Sequence, residues 1–244
     1  MRGSDRLPRR SGASPQNYED FFARRVPAGL FFSILKAMWF GKESGKSGAG
    51  GDPQEDLTPV TTRGGDDGRS GLLDGSRRFK DDPVFDALGY VDETQVALGC
   101  CRAVAGAPET ASDPLVKSLV GQIEQEQYKL LVAGGVMACP VNVPFVAGQE
   151  IITDADVARL EERITWWRQR AELEPRFFVA GDSLLGAECD RARTVVRRAE
   201  RAVVRVVRAQ GREEQKAVSR YLNRLSDWFF ILARWADKGF PLAD

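Results

Sequence analysis

The chain has 244 residues, with 35 Lys plus Arg set against 35 Asp plus Glu, a formal net charge of zero, and no histidine. Charge balance excludes capture of nucleic acid or a membrane surface by global attraction, so any anion site has to be local. Without imidazole there is no Ser-His or Cys-His nucleophilic pair, no histidine zinc centre and no histidine acid–base step, which leaves chemistry to Arg, Lys, Asp, Glu or a reactive substrate.

At about 150 residues per domain the length points to one sizeable domain with an appendage. Residues 1–58 are that appendage: Arg2, Arg6, Arg9 and Arg10 lie among Ser, Gly and Pro, and residues 45–53 are almost all flexible or polar. The basic, acid-poor start reads as a mitochondrial transit segment, against which stand Asp5, Glu19 and Asp20. Residues 30–40 form an apolar run well short of the roughly 20 residues that span a bilayer. Arg24, Arg25 and Lys36 around Phe31, Phe32, Trp39 and Phe40 suit an interfacial helix, an unfolded leader or a strip docked on another protein. Docking through residues 21–40 is the expectation, because so many large aromatics are a liability when left exposed.

From about residue 78 the pattern is helical. Asp81 and Asp82 before Pro83 start a helix with carboxylates at its positive end, and Val84, Leu88, Val91 and Leu98 carry it to about residue 105. A second helix runs over about 113–139 with Leu115, Leu119, Ile123, Leu130 and Leu131 inward, and Pro140 stops it. The third starts at the cap candidates Thr153 or Asp154 and carries Val157, Leu160, Ile164 and Trp167 to about residue 173. The fourth, about 183–210, has a narrow stripe of Val195, Ala199, Ala202 and Val206. The fifth, about 212–238, repeats Val218, Leu222, Leu225, Phe229, Leu232 and Ala236 and ends at Gly239. Five helices and no convincing strand predict an all-α five-helix bundle over residues 59–244, behind a mostly irregular extension. Cys100, Cys101, Cys139 and Cys189 have no C-x-x-C spacing and read as reduced, small apolar packing residues.

Three constellations carry chemistry. In the fourth helix Arg193, Arg197 and Glu200 share one face by steps of four and three, with Arg198, Arg201 and Arg205 on a neighbouring face. So many guanidiniums in a small arc need a polyanion or carboxylates between them, and Glu200 alone cannot balance them; a solvated face with internal ion pairs is the other reading. In the fifth helix Asn223 and Asp227 border the apolar stripe, where polar groups meet another helix or a ligand. The third is the loop Thr61-Thr62-Arg63-Gly64-Gly65-Asp66-Asp67-Gly68-Arg69-Ser70-Gly71. Its glycines let backbone amides approach phosphate, Thr62, Arg63 and Ser70 can donate, and Asp66 can meet a sugar hydroxyl or a magnesium-bound water, although a plain linker has the same composition.

Together these features resemble the trimeric ATP:cob(I)alamin adenosyltransferases from about residue 60 to the end. The resemblance is carried by the glycine loop, by Lys80-Asp81-Asp82-Pro83 leading to Gly89-Tyr90-Val91-Asp92-Glu93, by the run 193–201, and by Tyr221-Leu222-Asn223-Arg224-Leu225-Ser226-Asp227. It implies a five-helix bundle, a homotrimer, and the substrates ATP and cobalamin with Mg2+. It also explains the missing histidines: cob(I)alamin is itself a strong nucleophile, so the protein needs only to orient ATP and stabilise the departing triphosphate. By resemblance, Thr62, Arg63, Gly65, Asp66, Gly68 and Ser70 form the loop over ATP, with Lys80 nearby. Arg193, Arg197, Arg198 and Glu200, with Asn223, hold the nucleotide at a subunit interface. Asp92 joins Arg193 and Arg197 in the catalytic group by pairing with an arginine across that interface. No metal ligand is assigned.

The chain departs from the family pattern at Gly64, where Thr is expected, at Ala180-Gly181-Asp182 in place of Pro-Gly-Gly, at Asp190, commonly His, and at Thr94-Gln95-Val96 after the acidic pair. Where the second helix often carries aromatic and acidic residues facing the corrinoid, this chain reads Leu130-Leu131-Val132-Ala133-Gly134-Gly135. Two readings therefore stay open: an active transferase, and a retired homologue serving as a structural, nucleotide-binding subunit of a larger, mitochondrial assembly.

Overall fold

The computed structural model of the protein describes residues 63–139, 150–210 and 213–239. The expectations for the extension 1–58 and for Thr62 lie outside them. The chain begins with a hairpin, β1 (Arg69–Gly71) and β2 (Arg77–Phe79), followed by five helices, α1 (Pro83–Ala105), α2 (Pro114–Ala138), α3 (Asp154–Ala171), α4 (Leu184–Gln210) and α5 (Glu213–Asp237). The all-α bundle stands as expected, and the hairpin is the addition: Arg69 lies opposite Phe79, Ser70 opposite Arg78 and Gly71 opposite Arg77. Leu72 is buried beneath it, and the amide of Leu73 donates to the carbonyl of Ala138 at 3.2 Å, fastening the hairpin to the end of α2. Gly75 turns the chain at φ +81°, a conformation that costs a glycine nothing.

Helices α1 to α4 each start with side-chain hydrogen bonds at the cap. Asp82 accepts from Val84 N at 3.0 Å, and Asp113 from Leu115 N and Val116 N at 2.6 and 3.1 Å. At α3 the carboxylate of Asp156 reaches back to the amide and hydroxyl of Thr153, both at 2.9 Å. At α4 the Ser183 hydroxyl accepts from Gly186 N at 2.9 Å.

Cross-helix pairs give the order of packing. Arg102–Glu124 joins antiparallel α1 and α2, Glu93–Arg198 and Asp86–Arg205 join antiparallel α1 and α4, and Glu200–Asn223 joins antiparallel α4 and α5. Asp154–Arg220 and Glu161–Arg224 set α3 parallel to α5. Leu98, Leu119, Ile123, Leu160, Trp167, Val196, Val203, Leu222, Trp228 and Phe229 have no more than a trace of exposure and form the core. In α2 the expected Leu115 and Leu131 are half-buried, and the neighbouring Val116 and Val132 go inward, because α2 packs against α1 on one side and meets α3 and α5 on another. The α4 stripe is wider than expected, taking in Ala192, Val196 and Val203, since α4 is sandwiched between α1 and α5. The cysteines are free thiols; Cys101, Cys139 and Cys189 are buried, and a hydrogen bond with Cys101, reinforced by burial, pushes the Cys189 thiol well up. Among the described residues no helix is long and apolar enough to cross a membrane.

An ionic cluster ties α2, α3 and α5 together. Glu126 on α2, with 0% exposure, accepts from Arg163 and Arg159 on α3 and from the hydroxyl of Tyr221 on α5, the last at 2.6 Å. Beside it Lys129 is 3.2 Å from Asp156 and 2.5 Å from Glu150. Burial works to raise the Asp156 pKa, but hydrogen bonds from Arg159 and Thr153 and the charge of Lys129 outweigh it and bring the value to about 2.

Two outcomes are expected. Glu126→Ala leaves two arginines facing a buried void and costs about 3–5 kcal/mol in chemical denaturation. Because the Asp156 pKa is depressed in the folded state, its stabilisation is complete above the ordinary value of 3.8 and is lost as pH falls through about 2. Asp156→Asn therefore flattens the acid limb of the stability curve by about 2 kcal/mol between pH 5 and pH 2, measured by urea titration.

Candidate active site

The glycine loop is pinned from below by its own hairpin. The ammonium of Lys80 donates to the carbonyl of Gly65 at 2.9 Å, and the amide of Lys80 to the carbonyl of Gly68, also at 2.9 Å. Gly68 sits at φ +75°, a backbone conformation that favours glycine, and a Cβ on Gly65 would come within 2.9 Å of the Lys80 nitrogen and press on that ammonium's contact with the loop. Asp67 is engaged within the hairpin: its carboxylate accepts from the amide of Arg69 and from Arg77, both at 3.0 Å, and these contacts hold its pKa below the ordinary carboxylate range, the Arg69 amide contributing most. Asp66 and Arg63 are exposed, Ser70 is half-buried in β1, and all three remain at the loop's outer surface.

The arginine run is divided between two neighbours. Arg198 turns toward α1, pairing with Glu93 and standing 5.2 Å over the ring of Tyr90, and Arg205 lies 3.6 Å from Asp86. The carboxylates that the composition of α4 lacks are supplied by α1. On the other flank Glu200 accepts from the amide nitrogen of Asn223 at 3.0 Å, while the Asn223 oxygen accepts from Arg224 at 2.5 Å. Asp227 lies 3.7 Å from the same Arg224. Arg193 donates through Nε to Asp190 at 3.0 Å. Between the flanks stand Arg197 and Arg201, exposed; among the described residues neither has a carboxylate partner, and Arg201 only reaches the Arg197 carbonyl at 3.4 Å. Asp92 is likewise exposed, without an ion pair among the described residues, one position from the paired Glu93.

The structure thus brings Arg193, Arg197, Glu200 and Asn223 onto one surface and places Arg198 against α1. The loop belongs elsewhere in the same chain. The start of α1, where the hairpin attaches, packs beside Arg205, and Arg197 and Arg193 lie roughly 12 and 18 Å further along α4 at 1.5 Å per residue. Asp92 and Glu93 are on the α1 turns between the two.

A feature absent from the sequence reading opens beside Arg193. A cleft of about 270 Å³ is lined by Arg176, Phe177, Phe178, Asp190, Arg193, Phe230 and Arg234. Phe177 is fully exposed at 104%, with Val179 at 84% and Leu184 at 69%. Gly181, at φ +115°, makes the entrance to α4 that no other residue type adopts readily. The sequence signals were the pair of aromatics before Gly181 and the Asp190/Arg193 and Arg234/Asp237 spacings of three. By contrast, in the α2 segment that the family resemblance turns toward the corrinoid, Leu130, Val132 and Ala133 are interior, at 1%, 5% and 0% exposure, and Leu131 is half-buried. Among the described residues no group of three or more Cys, Asp or Glu side chains is arranged to hold a metal ion.

A family model described as cobalamin adenosyltransferase matches residues 60–236. The chain is 35% identical to the corrinoid adenosyltransferase of Mycobacterium leprae, over 75% of this chain and 93% of that protein. It is 33% identical to the corrinoid adenosyltransferase of Bacillus subtilis, over 71% and 83%. Among solved structures it is similar to a variant of a PduO-type ATP:corrinoid adenosyltransferase from Lactobacillus reuteri complexed with cobalamin and ATP, with a TM-score of 0.63, 28% identity, and coverage of 74% of this chain and 94% of the other.

Proposed function

The chain belongs to the cobalamin adenosyltransferase family, and from that membership we propose that it is an ATP:cob(I)alamin adenosyltransferase, moving the 5′-deoxyadenosyl group of ATP to the cobalt of cob(I)alamin and releasing triphosphate. The observation that carries the reading is Arg197. Its neighbours Arg193, Arg198 and Arg205 each have a carboxylate, whereas Arg197 stands exposed beside the Glu200–Asn223 pair with none among the described residues. An uncompensated guanidinium next to a polar amide–carboxylate pair fits a polyphosphate joined to a nucleoside.

The substrate's cobalt brings the electron pair that forms the bond to ribose C5′, the C5′–O bond breaks, and the triphosphate leaves with the electrons of that C–O bond. No protein base is needed, in keeping with a chain without histidine. The protein's part is to align ATP for attack and to neutralise the leaving group with Arg193, Arg197 and Arg63. Lys80 keeps the loop in shape through the Gly65 carbonyl. Magnesium, when bound, spreads the charge of the triphosphate. It is ordinarily held by one or two carboxylates plus phosphate oxygens, and the exposed Asp66 fits that donor set, whereas Asp67 is already engaged. Phe177, which lines the cleft, and the exposed Val179 and Leu184 offer apolar surface to the corrin. Of the changed residues of α2, Leu130, Val132 and Ala133 are core positions and do not argue for a retired enzyme.

The separation of the loop from Arg197 along one chain supports a site completed between copies, the loop of one subunit closing over the arginine face of the next in a trimer, with Asp92 at the junction. Residues 21–40 are the proposed docking strip for a further partner, and a mitochondrial address rests on the basic start of the same extension.

Incubation of the full chain with ATP, magnesium and reduced corrinoid should produce the adenosylcobalamin spectrum. Arg197→Ala should lose about 1.5–3 kcal/mol of ATP binding, roughly tenfold to a hundredfold, with helical content unchanged; absence of calorimetric ATP binding by the unaltered protein would reject the reading. Removing residues 1–58 should leave a folded bundle that elutes, beside native lysate, at a smaller mass than the intact protein with its partner. Co-elution of both at the mass of a simple trimer rejects docking.

A further inference from the structure

Arg193 stands at the end of a line of buried contacts that begins at the cap of its own helix. The Ser183 hydroxyl donates to Asp237 Oδ1 at 3.0 Å, Asp237 Oδ2 lies 2.8 Å from Arg234, Arg234 donates to Asp190 Oδ2, and Asp190 Oδ1 accepts Nε of Arg193 at 3.0 Å. The line leaves α4, crosses to α5 and returns to α4. It is tightly built: a Cβ on Gly186 would sit 1.9 Å from Asp237 Oδ1, so only glycine admits that carboxylate. Arg234 has 3% side-chain exposure and lies against the paired rings of Phe178 and Phe230, at 5.0 and 5.6 Å. It is gripped by two carboxylates and two aromatic faces and has no room to swing.

Asp190 therefore has one oxygen on an immobile buried arginine and the other on an arginine that is one-third exposed at the cleft. It occupies only Nε of Arg193. The two terminal nitrogens of that guanidinium have no partner among the described residues and stay available to an anion. The sequence position commonly held by His in the family is here a carboxylate that links the interior to the site.

We propose that Asp190 is a positioning residue that fixes the guanidinium of Arg193 for the triphosphate, with buried Arg234 as its anchor. The inference rests on the reading of Arg193 as part of the active site. Asp190 touches no substrate; it sets the orientation in which Arg193 meets one.

The test is a double-mutant cycle on the full chain with Asp190→Asn, Arg193→Ala and the two combined, reading kcat and KM for ATP beside thermal midpoints. Asp190→Asn should lower kcat/KM about tenfold to a hundredfold, and in the Arg193→Ala background the same substitution should change it less than about threefold. An equal loss in both backgrounds means that Asp190 acts through the fold, and overturns the proposal. If Arg193→Ala leaves kcat/KM unchanged, the place of Arg193 in the site falls and the positioning role with it, while activity of the unaltered protein still upholds the transferase. Should Asp190→Asn fail to fold, Asp190→Asn with Arg234→Gln removes both buried charges, and the same comparison with and without Arg193→Ala decides.

Discussion

A carboxylate with no solvent exposure, Glu126, determines how three of the five helices meet. It takes hydrogen bonds from Arg159 and Arg163 on α3 and from Tyr221 on α5. Burying such a charge is favourable only when every partner is present and correctly placed, so α3 and α5 have little freedom to slide along α2. Burial and the charge of Glu126 also push the Tyr221 phenol well above its ordinary range, so it remains a donor at any working pH. Tyr221 is two residues before Asn223. The register that satisfies Glu126 is the register that brings Asn223 to Glu200 on α4, and a structural constraint in the core thereby sets the geometry of the candidate site.

A second ionic system does the same at the other end. Asp190, Arg234 and Asp237 lock the start of α4 to the end of α5. The two systems bracket the arginine face. Between them the long guanidinium side chains are sorted by their carboxylate partners: Glu93 and Asp86 draw Arg198 and Arg205 to α1, and Asp190, itself paired with Arg234 of α5, holds Arg193 along α4. Arg197 and Arg201 are left over, and the unspent positive charge is where a polyanion is best received. Surface pairs such as Arg198–Glu93 contribute little to stability; their larger effect here is on which arginines stay open to a ligand.

The functional reading gains from where the chain differs from its relatives' pattern. Leu130, Val132 and Ala133 sit in the core, so their apolar character is packing and carries no message about corrinoid. The exposed Phe177 lies in the stretch before α4 and lines the cleft together with residues of α4 and α5. Aromatic surface, cleft and arginine face are contiguous through Arg193, which lines the cleft and belongs to the face.

The five helices, their limits and most of their inward residues are legible in the sequence, because helical periodicity and end-capping by Asp82, Asp113 and Thr153 are local interactions within a few residues. The motifs that carry the family resemblance are legible for the same reason: they are short and contiguous. The hairpin is not, since strands of three residues are too short to show alternation. Nor is the interior burial of Glu126, Asp190 and Arg234, residue types that composition places on the surface and that only partners distant in the chain can bring inside. The division of the arginine run is likewise a tertiary outcome, because the carboxylates that decide it lie on α1, more than a hundred residues away in the case of the 105-residue separation between Glu93 and Arg198.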